Sequence, residues 1–422
     1  MIKRITSLMA HLNIGTWLIS DTEKKSAELF FIRKDEDMRR EASVREISVT
    51  VYRDFDKDGN KMRGSAGVLL FDSMTDEEIS QKLTRAYHAA QFVNNPYFDI
   101  APCTVDKKLS GGDDPLSLME KAEIMADALF MPDVNDEAFI NSAEIFASLT
   151  HVRIYASNGT NVEYDSFRVK GEFVCQTLEP EDVEMYHAFE YAALDTFALS
   201  ELSLDALSVV RDRAHAKNAP NAGIYDVILT KQHVYTLLSA YPEKANAALV
   251  FAKYSPYSVG MNVQGENIEG EKLNITLTPD EPFSFEGIPM PERTLISEGV
   301  LSSLHGATRF SRYLGIEPTG SYTNIRVDNG TKALEDMKKK PYLMPVSFSD
   351  FQMDPLSGHF SGEIRLAYLF DGERIHLVTG GSVNGSLLEK QTNLVFSLER
   401  YSDSSFSGPY AVLIPGVKVA GA

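Results

Sequence analysis

Three polar residues near the C-terminal end of the chain have the side-chain types needed for hydrolysis. His359, Ser361 and Glu363 are separated by single residues, and in a β-strand this spacing places all three side chains on one face. A histidine base, a serine nucleophile and an orienting carboxylate are the parts of a metal-free hydrolase. Neighbouring side chains on one strand seldom converge on a single point, so the favoured interpretation is a set of polar residues that line a wet groove.

A second pattern imitates a calcium loop. Asp54, Asp56, Asp58 and Gly59 have EF-hand spacing, but the twelfth position is Ser65 where a bidentate glutamate is needed. The flanking segments alternate like strands and not like helices. We therefore predict a plain hairpin turn and no metal site here.

Composition and charge limit the possible functions. The chain has 422 residues with 43% hydrophobic and 24% charged, which predicts a globular protein with more than one domain. Its 41 basic and 60 acidic residues give a net charge of -19, which repels nucleic acid and anionic membranes. Two cysteines are too few for a disulfide framework. The N-terminal residues lack an apolar run of signal-peptide length, so the expected location is the cytoplasm.

The pattern of elements predicts an α+β fold. It consists of N-terminal α/β domains of hairpins and capped helices, followed by a large strand-rich C-terminal domain. We predict three domains, with bounds at 1–106, 107–219 and 220–422. Thr75 and Glu78 form a capping box at the start of a helix, residues 186–193 are strand or helix, and residues 204–217 form an amphipathic helix. The segment 107–115 is the expected first linker.

Several short motifs resemble one family. Arg293–Leu301 is a hairpin with its turn at Glu298-Gly299, and a short helix from Thr308 ends at Gly315. Pro282–Pro289, Asp354–Gly362 and Ser407–Gly421 match further turns and strands of that family. In this combination the chain resembles the TldD/PmbA family, also called TldD/TldE, which includes proposed metallopeptidases and modulators of DNA gyrase.

One motif of the catalytic branch of that family is missing. The resemblance implies a helix with His-Glu-x-x-x-His, in which two histidines bind zinc and the glutamate activates water. Here the corresponding helix has His233 followed by Val234, with no second histidine before His305. The chain therefore resembles the PmbA (TldE) branch, and no zinc site or other cofactor is expected in it.

The resemblance implies the following function. The chain is expected to be a non-catalytic subunit of a TldD/TldE-type metallopeptidase complex that degrades unfolded or leader peptides, with zinc only in a TldD-like partner. The alternative is a homodimeric module that binds peptide or protein and has no peptidase activity. No catalytic residue is assigned. The candidate residues of the peptide groove are Arg309 and His233 together with His359, Ser361 and Glu363.

Overall fold

A computed structural model describes residues 1–105, 107–109, 115–135 and 137–421 of the chain. The helices are α1 (Ile2–His11), α2 (Asp76–Ala90), α3 (Leu118–Phe130), α4 (Thr196–His215), α5 (Gln232–Leu238), α6 (Ala240–Lys244), α7 (Ala247–Phe251), α8 (Thr308–Tyr313), α9 (Leu334–Met337) and α10 (Leu387–Lys390). In the described ranges, no helix is both long and apolar enough to cross a membrane.

The strands of the N-terminal half are β1 (Thr16–Ile32), β2 (Asp35–Lys57), β3 (Asn60–Leu70), β4 (Lys107–Leu109), β5 (Phe139–Ala156), β6 (Asn161–Thr177) and β7 (Val183–Tyr191). Those of the C-terminal half are β8 (Gly223–Thr230), β9 (Ile275–Thr278), β10 (Arg293–Ser297), β11 (Val300–Leu301), β12 (Asn324–Val327), β13 (Tyr342–Met353), β14 (His359–Phe370), β15 (Ile375–Val378), β16 (Ser382–Ser386), β17 (Val395–Phe396), β18 (Arg400–Ser402), β19 (Phe406–Pro409) and β20 (Ala411–Ala420). This content confirms the predicted α+β fold with a strand-rich C-terminal region.

One sheet runs through the first two predicted domains. Its order is β3-β2-β1-β5-β6, with β4 and β7 both beside β6. Strand β1 pairs with β2 on one side and with β5 on the other, so the sheet crosses the predicted boundary at 106/107. The middle of the predicted linker, residues 110–114, lies outside the described residues.

Helices α3 and α4 cover one face of this sheet. Val169, Phe173, Met185 and Phe189 of β6 and β7 pack in one core with Leu207 and other apolar residues of these helices. The other face of β6 and β7 carries the alternate residues, which are more polar. The sheet therefore has a helix-covered side and an open side, as alternation along each strand requires.

The C-terminal half contains two further sheets. One has the order β11-β10-β9-β12-β19-β18, and the other has the order β13-β8-β20-β16-β14-β15. Because β13 also pairs with β14, five strands of the latter sheet close into a ring. The register of β13 on β14 shifts at several points between Pro345 and Phe351, and such bulges bend a strand and re-aim its side chains.

Local sequence signals are confirmed where they act over a few residues. Thr75 and Glu78 form both hydrogen bonds of the capping box, and Glu298 and Gly299 have φ of 51° and 81° at the tip of the β10–β11 hairpin. Residues 183–191 are a strand, and the helix expected at 204–217 begins earlier, at Thr196. The Asp195 side chain accepts a hydrogen bond from the Ala198 N–H, which places the N-cap there.

Candidate functional site

The three residues on β14 share one outward face. His359 and Glu363 are exposed and Ser361 is partly buried, while Phe360 and Gly362 between them are buried. Their cross-strand neighbours on β16 are Ser386, Asn384 and Ser382. The alternation thus places these side chains as expected, in a row of polar residues.

Arg309 lies at a different place, on α8. Its Nη1 donates a hydrogen bond to Asn95 Oδ1 at 3.1 Å, and its guanidinium lies 4.3 Å from the ring centroid of Phe310. This side chain joins the C-terminal half to the loop after α2. Neither Arg309 nor the three β14 residues line the cavity that contains His233.

A cavity of about 740 Å³ lies between the two halves of the chain. One wall consists of β6, β7 and α4, and the facing wall consists of residues 230–233, the bulged part of β13 and the turn between β18 and β19. We call this space the inter-half cleft. Its size falls within the usual range of ligand sites.

Strand β7 borders the inter-half cleft with its edge. Six consecutive residues, 186–191, line the space, although the side chains of successive residues point to opposite faces. The strand pairs only with β6 within the described residues. The cleft therefore borders both faces of β7, and the outer edge of β7 has no neighbouring strand among the described residues. The main-chain groups of that edge are presented to the cleft.

The direction of those main-chain groups follows from one contact. Arg365 Nη2 donates a hydrogen bond to the Glu184 carbonyl at 3.0 Å, so this carbonyl points away from β6. In an antiparallel strand the N–H and C=O of one residue point to the same side and the sides alternate. We therefore expect the N–H and C=O groups of Tyr186, Ala188 and Glu190 to point outward, as those of Glu184 do.

His233 lies on the facing wall and packs against two phenylalanine rings. Its ring centroid is 4.9 Å from that of Phe348 and 5.6 Å from that of Phe351. Its buried Nδ1 has no hydrogen-bond partner among the described residues. Burial lowers the pKa of His233 to about 4, so the imidazole is neutral at pH 7.

His187 on β7 is a second neutral imidazole. Its ring stacks on Phe173 at 5.3 Å, and its buried Nε2 has no hydrogen-bond partner in the described part of the chain. Burial, together with the nearby Lys231 charge, lowers the pKa of His187 to about 4. Both histidines therefore enter the cleft as uncharged, aromatic side chains.

An ion pair connects the two walls. The Lys231 ammonium pairs with the Asp205 carboxylate of α4, and the Lys231 N–H donates to the Tyr410 carbonyl at 2.8 Å. Lys231 has φ 52° and ψ -125°, a conformation that favours glycine and strains a residue with a Cβ. The fold holds this strained residue at the rim of the cleft.

The residues around His233 do not fit a zinc site. Val234 and Leu238, next to it and five positions after it, are both fully buried in the apolar core. In the described ranges, no group of three histidine, cysteine or carboxylate side chains could hold a metal ion. A lone imidazole surrounded by phenylalanine rings lacks the three or four donors that zinc requires.

Sequence reasoning found only one part of the cleft, His233. It missed the edge of β7, His187 and the Lys231–Asp205 pair. The alternation of residues 183–191 is a signal for a strand, but no local pattern tells which strand lacks a neighbour. The charged side chains of Lys231 and Asp205 are ordinary surface residues in the sequence alone.

Comparison with known proteins gives the same assignment as the motifs. Residues 222–421 match the model of the PmbA/TldA metallopeptidase C-terminal domain. No curated protein matches the sequence.

Solved structures have the same fold over nearly the whole chain. A proposed modulator of DNA gyrase from Bacteroides thetaiotaomicron has a TM-score of 0.78 at 18% identity, covering 100% of this chain and 99% of its own. A proposed modulator of a DNA gyrase from Thermotoga maritima has a TM-score of 0.76 at 17% identity, covering 99% of each chain. TldE from Thermococcus kodakarensis has a TM-score of 0.73 at 15% identity, covering 99% of this chain and 100% of its own. Residues 222–421 therefore form a C-terminal domain of the PmbA/TldD family, and the chain as a whole has the fold of these solved structures.

Proposed function

We propose that this chain is a PmbA/TldE-like, non-catalytic subunit of a TldD/TldE-type metallopeptidase complex. In this proposal the inter-half cleft holds an unfolded or leader-type peptide, and a TldD-like partner with its own His-Glu-x-x-x-His motif supplies the zinc and the hydrolysis. The observation that carries the proposal is the outer edge of β7, which borders a cleft of about 740 Å³ over six consecutive residues.

The peptide would bind as an added strand. Main-chain groups of Tyr186, Ala188 and Glu190 are expected to point into the cleft, and an extended peptide pairs with such groups through main-chain hydrogen bonds. Main-chain pairing is independent of side chains, so one edge accepts many sequences. This suits a subunit that handles unfolded chains.

Two features support a role without catalysis. The helix that carries zinc ligands in the catalytic branch has Val234 and Leu238 in the core here, and the remaining His233 is neutral and enclosed by phenylalanine.

The net charge of -19 also opposes direct binding to DNA. The outward face of His359, Ser361 and Glu363 stays a predicted additional contact for peptide outside the cleft.

Replacement of Ala188 tests the proposed edge. Proline is tolerated on an edge strand where its missing N–H faces away from the sheet, so Ala188→Pro removes one donor from the cleft. Ala188→Val keeps the N–H and suits a strand. We expect Ala188→Pro to weaken binding of a fluorescently labelled unstructured peptide about 5-fold or more, and Ala188→Val to leave it near the wild-type value. Equal affinity of the two variants would refute peptide addition at β7.

A peptidase assay tests which of the two subunits supplies the hydrolysis. The chain alone, its zinc-motif homologue alone and their mixture are incubated with the same peptide, each with and without a chelator. We expect hydrolysis that needs the mixture and stops with the chelator. Hydrolysis by the chain alone in the presence of chelator would contradict a non-catalytic role. Peptide binding without hydrolysis in any tube would favour the homodimeric binding module.

A further inference from the structure

The inter-half cleft extends to both sides of the β7 edge. His187, Phe189 and Tyr191 line it from the helix-covered side of the sheet, whereas Tyr186 and Glu190 line it from the open side. A strand added to this edge continues the sheet, so its side chains alternate between the same two sides. Successive residues of a bound peptide therefore meet two different environments.

The helix-covered side is apolar. Phe189 and Ala206 are buried, and Leu202 and Val209 of α4 are partly buried beside them. Among the charged residues on this side, Asp205 and Lys231 pair with each other. The Asp403 carboxylate, near Tyr191, accepts hydrogen bonds from the Ser405 N–H and hydroxyl and from the Phe406 N–H. His187 is neutral because burial holds its pKa near 4. We call this part of the cleft the helix-side subsite.

The open side is polar and charged. Lys170, Glu172 and Glu190 line it together with Tyr186, whose hydroxyl donates to Glu172 Oε2 at 2.8 Å. Glu190 and Tyr186 are exposed. A peptide side chain on this side stays in contact with water, so a polar residue loses little by binding there.

We infer that the inter-half cleft selects peptides by the period of their apolar residues, taking an apolar side chain at every second position into the helix-side subsite and accepting polar side chains between them. This inference rests on the proposed function, since it requires the peptide to pair with β7. It adds a substrate class: extended segments with the apolar-polar alternation of an amphipathic β-strand. Such segments are buried in folded proteins and become available when a protein unfolds.

Two labelled peptides of identical composition test the inference with the wild-type chain. One alternates valine and serine, and the other carries the same residues as Val-Val-Ser-Ser repeats, with lysines at both ends of each for solubility. Only the alternating peptide can place valine at every second position. We expect it to bind about 10-fold more tightly than the paired peptide, by fluorescence anisotropy, because each misplaced valine loses burial.

The outcomes separate the inference from the proposed function. Equal binding of both peptides would overturn the inference and leave peptide addition at β7 standing. Failure of both peptides to bind would overturn the proposed function and the inference with it.

A matched pair of variants locates the selectivity. Val209→Ser makes the helix-side subsite polar, whereas Leu204→Ser changes an exposed residue of the same helix that does not line the cleft. We expect Val209→Ser to reduce the preference for the alternating peptide about 3-fold or more, and Leu204→Ser to keep it. A preference that both variants keep in full would place the selectivity elsewhere and refute the helix-side subsite.

Discussion

The imidazole of His233 meets the ring of Phe348 edge-on, with centroids 4.9 Å apart and ring planes at 85°. An imidazole in this setting gains aromatic contact, and its burial lowers its pKa. The contact therefore favours the neutral ring.

The two histidines of the inter-half cleft, His187 and His233, predict a pH dependence of stability. Burial lowers the pKa of both His187 and His233 from 6.5 to about 4. Between pH 6.5 and 4 the unfolded chain binds protons at these rings that the folded chain does not bind. The free energy of unfolding therefore falls as the pH falls through this window, by roughly 2 kcal/mol for each ring between pH 7 and pH 5.

Chemical denaturation at pH 7 and pH 5 measures this effect. We expect His233→Phe to remove its share of the loss, so that the variant is less sensitive to pH than the wild type. His11→Phe, at an exposed position of α1, provides the control. The prediction is wrong if His233→Phe and the wild type lose equal stability between the two pH values.

The backbone conformation of Lys231 predicts an unusual order of stability among variants at this position. Lys231→Gly and Lys231→Met both remove the ammonium that pairs with Asp205, but only glycine relieves the strain at φ 52° and ψ -125°. We expect the glycine variant to be more stable than the methionine variant by about 1 kcal/mol. Gln232, the next residue, begins α5, and there the order should reverse because glycine disfavours helix. Urea denaturation of the four variants measures their free energies of unfolding and checks both orders. A methionine variant that is more stable than the glycine variant at both positions would rule out the strain.

Gly171 on β6 predicts a link between packing and binding. A Cβ at this position would lie 2.3 Å from the Glu144 carbonyl oxygen and 2.7 Å from Phe189 Cζ. Gly171→Ala must therefore displace both the β5 backbone and the ring of Phe189, which lines the inter-half cleft. We expect a loss of about 1–3 kcal/mol in unfolding free energy together with weaker peptide binding. Gly67→Ala on β3, where a Cβ meets nothing within 4 Å, should leave peptide binding unchanged. Wild-type stability and affinity in Gly171→Ala would contradict the close packing of Gly171 against Glu144 and Phe189.

The row of polar residues on β14 predicts the effect of replacing its serine, Ser361. His359 and Ser361 are two positions apart on one strand face, so their Cβ atoms are about 6.5–7 Å apart and their side chains project side by side. This is unsuited to direct proton transfer. We expect Ser361→Ala to leave kcat for peptide hydrolysis in the mixed complex unchanged, with the effect of the lost peptide contact confined to KM. Loss of a chelator-resistant activity in this variant would instead establish a serine hydrolase.

Sequence reasoning succeeded where a structure depends on neighbouring residues. The capping box of Thr75 and Glu78 needs residues three apart, and the Glu298-Gly299 turn needs two adjacent residues that adopt positive φ. Such features are local in the chain and carry their own chemical signature. The family motifs of the C-terminal half are likewise short and contiguous.

It could not find the inter-half cleft, because the cleft depends on contacts between distant segments. Lys231 meets Asp205 from 26 positions away, and Phe348 lies more than a hundred residues after β7. The long polar part of β2 was also missed as a strand. Residues 35–43 are mostly exposed, so pairing with β1 holds them extended without an apolar alternation to reveal it.

The position of β1 has a consequence for synthesis of the chain on the ribosome. Its first partner, β2, follows after two residues, but its second partner, β5, ends only at Ala156. At bacterial or eukaryotic translation rates the interval between β3 and the end of β5 is roughly ten seconds. During that time one long edge of β1 is available to other nascent chains, so we expect slower translation in this interval to raise misassembly and chaperone demand.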